Sequence, residues 1–236
     1  MSKIDILAFG AHPDDIECAA AGVILNTTKQ GGKVVFVDLT RGEMGSHGTV
    51  KQRAKEAANA AQILGVQTRE QLKLPDGKIT NNIKNQEKVI QLIRQYRPKI
   101  VLANAFTDRH PDHRKAAELV ADSCFLSGLK MNITRYKGAS QRHWRPLAVY
   151  HYIQDYFIEP SIVVDISIHF EEKEKAIKAY RSQFIIAKDK NPNGILGLVN
   201  QIESTNQIFG RAINVKYAEG FLSERYIGVS NLMNLL

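Results

Sequence analysis

The feature that most restricts how this chain can fold is an alternation of short, β-branched apolar runs with longer amphipathic stretches. Ile4–Phe9 reads as a buried strand that stops at Gly10. Glu17–Gln30 carries Val23, Ile24 and Thr27 at helical spacing and is halted by Gly31-Gly32. Lys33–Leu39 (KVVFVDL) is a second strand. Thr49 with Gln52 three residues later is a capping box that opens a helix to Leu64. A short strand at Leu72–Leu74 leads into the turn Pro75-Asp76-Gly77. Asn85–Tyr96 is an amphipathic helix ending before Pro98, Ile100–Ala103 a strand, and Lys115–Leu126 a helix closed by Gly128. Four strand–helix pairs in succession predict parallel strands with right-handed crossovers. The expected fold is α/β in three layers: a doubly wound, mostly parallel sheet with a Rossmann-like N-terminal part. Further on, strands near Ala148–Tyr152 and Ile162–Asp165 and a helix around Glu171–Tyr180 precede a loop at Lys188–Gly197. No repeat or linker interrupts the chain, so residues 1–236 are expected to form one domain.

Ligands of such sheets bind beyond the carboxyl ends of the strands. Two polar clusters occupy such places. Ala11-His12-Pro13-Asp14-Asp15 follows the first strand and His110-Pro111-Asp112-His113 follows the fourth. Alone, either is as readily a turn or a capped helix. Together they offer three imidazoles and three carboxylates, and a catalytic divalent cation needs about three such ligands plus an open position. The surplus groups are then candidates for proton transfer. A chain of this length buries enough core to fold without a structural metal, so a metal here would serve chemistry.

Composition narrows the function classes. With 32 Lys+Arg against 24 Asp+Glu the net charge is +8, which could suit nucleic acid. Yet the basic residues are spread over both halves, and binding alone has no need of Asp14 or His110. A nucleic-acid partner is therefore not expected. No apolar stretch approaches a membrane span, and His12, Asp14 and Asp15 interrupt the N-terminal run where a signal peptide would be apolar. The expected location is cytoplasmic, with no membrane partner. Cys18 and Cys124 form no motif and read as two buried thiols. Residues 123–154 hold no carboxylate but include Lys130, Arg135, Lys137, Arg142 and Arg145. This segment suits an anionic substrate, with Arg142 near the pocket mouth, or else a solvated loop or subunit contact.

The two clusters, AHPDD after an N-terminal strand and HPDH downstream, resemble the PIG-L/LmbE superfamily of zinc-dependent N-acetylglucosaminyl deacetylases. Leu39-Thr40-Arg41-Gly42-Glu43-Met44-Gly45-Ser46, Gly48-Thr49, Arg53, Glu56, Leu74-Pro75-Asp76 and Tyr180-Arg181-Ser182-Gln183-Phe184 resemble the branch that acts in bacillithiol biosynthesis. Ala20-Ala21 departs from the second glycine that relatives often carry before Gly22. The resemblance implies one Zn²⁺ per subunit on His12, Asp15 and His113, although Fe²⁺ or another divalent ion suits the same ligands. It implies Asp14 as general base, His110 as the group that stabilises the oxyanion and protonates the amine, and Asp112 as the group that orients His110 and favours its charged form. Arg53, Arg109 and Glu43 match substrate-binding positions. The implied substrate is a small anionic glycoside, N-acetylglucosaminyl L-malate; the alternative is another N-acetylglucosamine-containing glycan or thiol conjugate. The implied assembly is a homohexamer. Whether residues 184–197 close over the substrate is left open. Asp76 reads first as a turn residue, and His47, His143, His151 and His169 as surface or packing histidines.

Overall fold

In the computed structural model, residues 3–184 and 195–235 are described. The central sheet has seven strands: β1 (Ile6–Gly10), β2 (Val34–Asp38), β3 (Thr68–Gln71), β4 (Ile100–Asn104), β7 (Ala148–Tyr152), β8 (Ile162–Asp165) and β9 (Ala218–Ser223). Their order across the sheet is β3-β2-β1-β4-β7-β9-β8. All neighbours are parallel except β9, which runs antiparallel to both β7 and β8. The chain thus winds outward from β1 to β3, then returns to place β4 on the other side of β1. That reversal opens a crevice between the carboxyl ends of β1 and β4, the position where doubly wound sheets take their ligands.

Side-chain alternation along the strands builds the three layers. Leu7 and Phe9 of β1 join Val35, Val37 and Val101 on one face, under α3 (Ile83–Tyr96) and α4 (Pro111–Ser127). Ile6 and Ala8 join Phe36 and Leu102 on the other, under α1 (Asp15–Thr28) and α2 (Val50–Ile63). Strands β1 and β2 are buried along their whole length, as parallel strands covered on both faces must be. The remaining helices are α5 (Phe170–Lys178), α6 (Arg181–Phe184) and α7 (Ile195–Ala212), and β5 (Arg135–Tyr136) pairs with β6 (Ala139–Ser140) in a small hairpin. None of the described helices is long and apolar enough to cross a membrane.

The fold class is as expected, and most elements start where their caps place them. Thr49 accepts from Gln52 N at the start of α2, and Asn82 accepts from Asn85 N at the start of α3. Two differences have physical reasons. The third strand is Thr68–Gln71, not Leu72–Leu74: TREQ lacks an apolar pattern because β3 is a sheet edge, and Leu74 instead packs into the core beyond it. Helix α4 begins at Pro111, earlier than Lys115, because proline fits the first helical turn and His110 serves as its cap. Strand β9 and helix α7 were not foreseen. The expected loop at 188–197 lies mostly outside the described residues.

Candidate active site

The backbone that carries the first cluster is strained. Asp14 caps α1 with φ 123°, a conformation that costs a non-glycine residue about 1–3 kcal/mol and persists only where neighbours enforce it. Arg53 of α2 is that neighbour. Its Nη2 donates to Asp14 Oδ2 at 2.7 Å and its Nε to Pro13 O at 3.0 Å. Gly42, with φ +63°, is required on the far side of the same guanidinium: a Cβ there would lie 2.6 Å from Arg53 Nη1.

Around the crevice, His12 and His113 each face a carboxylate from both ring nitrogens. Nδ1 of His12 lies 3.7 Å from Asp15 Oδ2, while its Nε2 lies 3.1 Å from Asp76 Oδ1 and 3.5 Å from Asp112 Oδ2. Nε2 of His113 lies 3.2 Å from Asp15 Oδ1, and its Nδ1 lies 3.0 Å from Asp108 Oδ1. The two ring centroids are 5.3 Å apart, with His110 4.6 and 5.0 Å from them. Bonds of about 2.0–2.1 Å to a tetrahedral ion place its donors roughly 3.3 Å apart; Asp15 Oδ1 and His113 meet that spacing, while His12 approaches Asp15 through the other oxygen, at 3.7 Å. The outer carboxylates complete a carboxylate–histidine pattern that fixes ring orientation around metals. Among the described residues, the donor atoms that lie within 4.8 Å of one another group as the nitrogens of His12, His110 and His113, and as a nitrogen of His12 with carboxylate oxygens of Asp76 and Asp112; the expected set His12, Asp15 and His113 does not close as tightly.

The electrostatics fit a cation. Asp14, Asp15, Asp76, Asp108 and Asp112 crowd one crevice, with the guanidinium of Arg53 against Asp14 and that of Arg109 farther out at the rim. Burial opposes charge on His12, yet Asp112, Asp15 and Asp76 raise it well above an ordinary imidazole; His113 is raised to about 9 by Asp15 and Asp108 against the same burial. Burial likewise opposes ionisation of Asp15, and the two histidines hold it well below the usual range. A site that retains protons on two imidazoles attracts a divalent ion by the same field. Asp14 differs: burial pushes it up to about 6, Arg53 pulling the other way.

His110 and Asp112 depart from the expected pairing. Nδ1 of His110 accepts the helix N–H of Asp112 at 3.2 Å. The Asp112 carboxylate turns away, accepting from Gly77 N at 2.7 Å and Ile79 N at 3.3 Å and facing His12. Asp112 therefore anchors the Pro75–Ile79 turn and backs His12, because its place in the first turn of α4 points it at those amides. Burial, and then His12 and His113, lower the pKa of His110, so its neutral form is favoured instead of the charged one. With Nδ1 accepting, Nε2 carries the proton.

The crevice opens into a cleft of about 810 Å³ whose lining includes Met44–His47, Arg53, Asp76, Arg109, Gln154, Asp155, Gln183 and Leu198. Arg109 stands at its rim with Nε 2.7 Å from Asp155 Oδ2. Glu43 does not line it. Its carboxylate accepts from Arg41 N and Asp76 N and stitches two loops together. Of the carboxylate-free stretch 123–154 only its last residue, Gln154, lines the cleft; Arg142 and the other basic residues of the stretch do not. His47 lines the cleft, whereas His151 is buried behind it. Asp76 proves more than a turn residue. Asp108, Asn104 and Gln154 were missed; the only signal for the first two was position, Asn104 closing β4 and Asp108 lying just beyond it on the way to HPDH.

Fold and cleft together define an α/β catalytic domain with a His/Asp cluster able to hold a divalent cation at its switch point. Residues 7–124, half of the chain, match the family described as GlcNAc-PI de-N-acetylase (PIG-L), and the chain belongs to that family. It is an enzyme of the deacetylase class, a hydrolase of amide-linked acetyl groups. Over 91% of its length it is 29% identical to the diacetylchitobiose deacetylase of Thermococcus kodakarensis, 81% of which is covered. The crystal structure of the conserved protein TT1542 from Thermus thermophilus superposes with a TM-score of 0.86 at 34% identity, covering 96% of this chain and 98% of that one. The N,N'-diacetylchitobiose deacetylase of Pyrococcus horikoshii shares the fold, with a TM-score of 0.80 at 24% identity over 98% and 88% of the two chains.

Proposed function

We propose that this chain hydrolyses the acetamide of N-acetylglucosaminyl L-malate, releasing acetate and the free amine. The observation that carries the reading is one cleft holding both a carboxylate poised at about 6, Asp14, and the cluster His12, Asp15 and His113. Those three residues would hold a divalent ion, zinc or ferrous iron. When bound, such an ion polarises an acyl oxygen and lowers the pKa of water toward 7. Asp14 Oδ2 is taken by Arg53, which leaves Oδ1 to accept the proton of the attacking water; a positioned base is worth about 10²–10⁴-fold. The proton it collects is the one the leaving amine requires. His110, neutral and protonated on Nε2, is placed to donate to the oxygen that gains charge. Arg53 acts through Asp14, so recognition of an anionic aglycone falls to Arg109. A malyl carboxylate there would compete with Asp155 for the guanidinium.

The diacetylchitobiose deacetylase relative favours a second reading, an uncharged chito-oligosaccharide substrate. Amine release from the malyl glycoside, free N-acetylglucosamine and diacetylchitobiose separates the two. A clear preference for the malyl compound that disappears in Arg109→Ala supports the first; equal rates on all three exclude it. The proposal includes a cytoplasmic homohexamer. What supports an assembly is that Tyr226, Ile227, Leu232 and Met233, close together in the sequence after β9, are exposed, and exposed apolar side chains are common at contact surfaces. Light scattering should show a smaller particle for Tyr226→Asp with Leu232→Asp.

A further inference from the structure

Both oxygens of Asp15 are engaged, and by different kinds of partner. Its Oδ2 accepts from His12 N at 3.0 Å and from the side-chain Nδ2 of Asn104 at 3.1 Å. Its Oδ1 faces His113 Nε2 at 3.2 Å and accepts from Gln154 Nε2 at the same distance. The two oxygens therefore have different surroundings: Oδ2 is fixed by donors from the backbone side, and Oδ1 looks into the cleft.

We propose that Asn104 is a positioning residue that occupies Oδ2 of Asp15, so that the carboxylate offers a bound cation Oδ1 alone. This rests on the reading of Asp15 as a metal ligand. Asn104 ends β4, is 1% exposed, and spans the switch point: its Oδ1 accepts from Ala11 N at 3.0 Å while its Nδ2 reaches Asp15. One amide thus sets both the spacing of β1 from β4 and the rotation of the carboxylate between them. The backbone of Asn104 is anchored in turn. Its carbonyl accepts from Nδ1 of the buried His151 at 2.7 Å, whose Nε2 lies 2.7 Å from Glu224 Oε1, and the Phe106 ring packs on that imidazole with centroids 4.4 Å apart. A carboxylate free to rotate would offer either oxygen or both, and coordination number would no longer be set by the protein. Groups that hold ligands in this way typically contribute about 10–100-fold to metal affinity.

The test uses the full chain loaded with Co²⁺, whose visible bands report coordination number, and follows binding by competition with a chelator. Asn104→Leu keeps the volume and removes the donor; Asn104→Ser is the smaller variant if leucine prevents folding. Circular dichroism of the metal-free proteins checks that each is folded. The dissociation constant should rise about 10–100-fold and the Co²⁺ bands should change in intensity. Folded variants with the wild-type spectrum and a dissociation constant within about threefold of wild type would reduce Asn104 to a strap between strands and overturn the proposal. A wild-type chain that takes up no Co²⁺ would overturn the metal reading itself, and this inference with it.

Discussion

The guanidinium of Arg53 and the carboxylate of Asp14 form a buried pair at 2.7 Å, across a backbone that the same guanidinium also pins through Pro13 O. One side chain thereby fixes both the rotamer and the titration of the proposed base. Burial raises Asp14 to about 6; the nearby guanidinium is the main influence lowering it.

Removing that cation has a defined sign. Asp14 works as a base only when ionised, and without Arg53 its pKa rises further. In Arg53→Ala the acid limb of kcat/KM should move up by about 1 to 3 pH units, as expected for loss of an opposite charge at this range. Turnover at pH 7 falls and partly recovers at higher pH. A pH profile with an unmoved acid limb would show that Arg53 serves substrate binding only.

Asp108 backs His113 from the side away from Asp15, at 3.0 Å. Its own carboxyl is opposed by burial but held below the usual range by that histidine. Asp108→Ala should weaken metal affinity by about 10–100-fold while leaving α4 intact. Chelator competition measures the first and circular dichroism the second. Unchanged affinity would mean that Asp108 only caps the loop, where it accepts from His110 N.

Much of this was legible before the structure. Strands β1, β2 and β4 are buried on both faces, and burial of that kind writes continuous apolar runs. The two polar clusters were legible because they stand directly after such strands. What escaped detection was polar and local. β3 reads as TREQ because an edge strand can satisfy its charges sideways: Arg69 reaches Asp38 and Glu17 at 2.7 and 2.6 Å. The direction of Asp112 escaped because a one-dimensional motif places it beside His110, while the first turn of α4 aims it at Gly77 and Ile79. Asn104 carries no motif at all; only the return of the chain to β4 makes it a neighbour of Asp15.

The two cysteines give a chemical check on burial. Cys18 contributes to the wall of the cleft, where a small reagent could approach, but its sulfur is buried and the carboxylates of Asp14, Asp15 and Glu17 add to the effect of burial in raising the thiol. Burial raises Cys124 likewise. Thiolate is the reactive form, so neither should react with a disulfide reagent at pH 8 in the native protein, and both should react in guanidinium. A fast thiol mapped to Cys18 in the folded chain would mean that its packing against Ala57 and Ala60 of α2 opens readily.

Beneath the cleft, α1 is held in place by a buried ion pair. Lys173 of α5 and Glu219 of β9 are fully buried, 2.7 Å apart. Glu219 also accepts from Gly22 N and Val23 N of α1, each at 2.8 Å, so a single carboxylate joins a strand and two helices. Two consequences follow for substitution. Lys173→Met keeps the length of the side chain but leaves an unpaired buried anion, which costs about 3–5 kcal/mol. Lys173→Met with Glu219→Gln removes both charges and keeps an acceptor for one of the amides, so the double variant should recover part of that loss. Thermal or urea unfolding measures each step, and for a chain of this size each kcal/mol lost lowers the midpoint by about 2–4 °C. Additive single losses with no recovery in the double variant would show that the amide bonds to α1, and not the ion pair, are what Glu219 contributes.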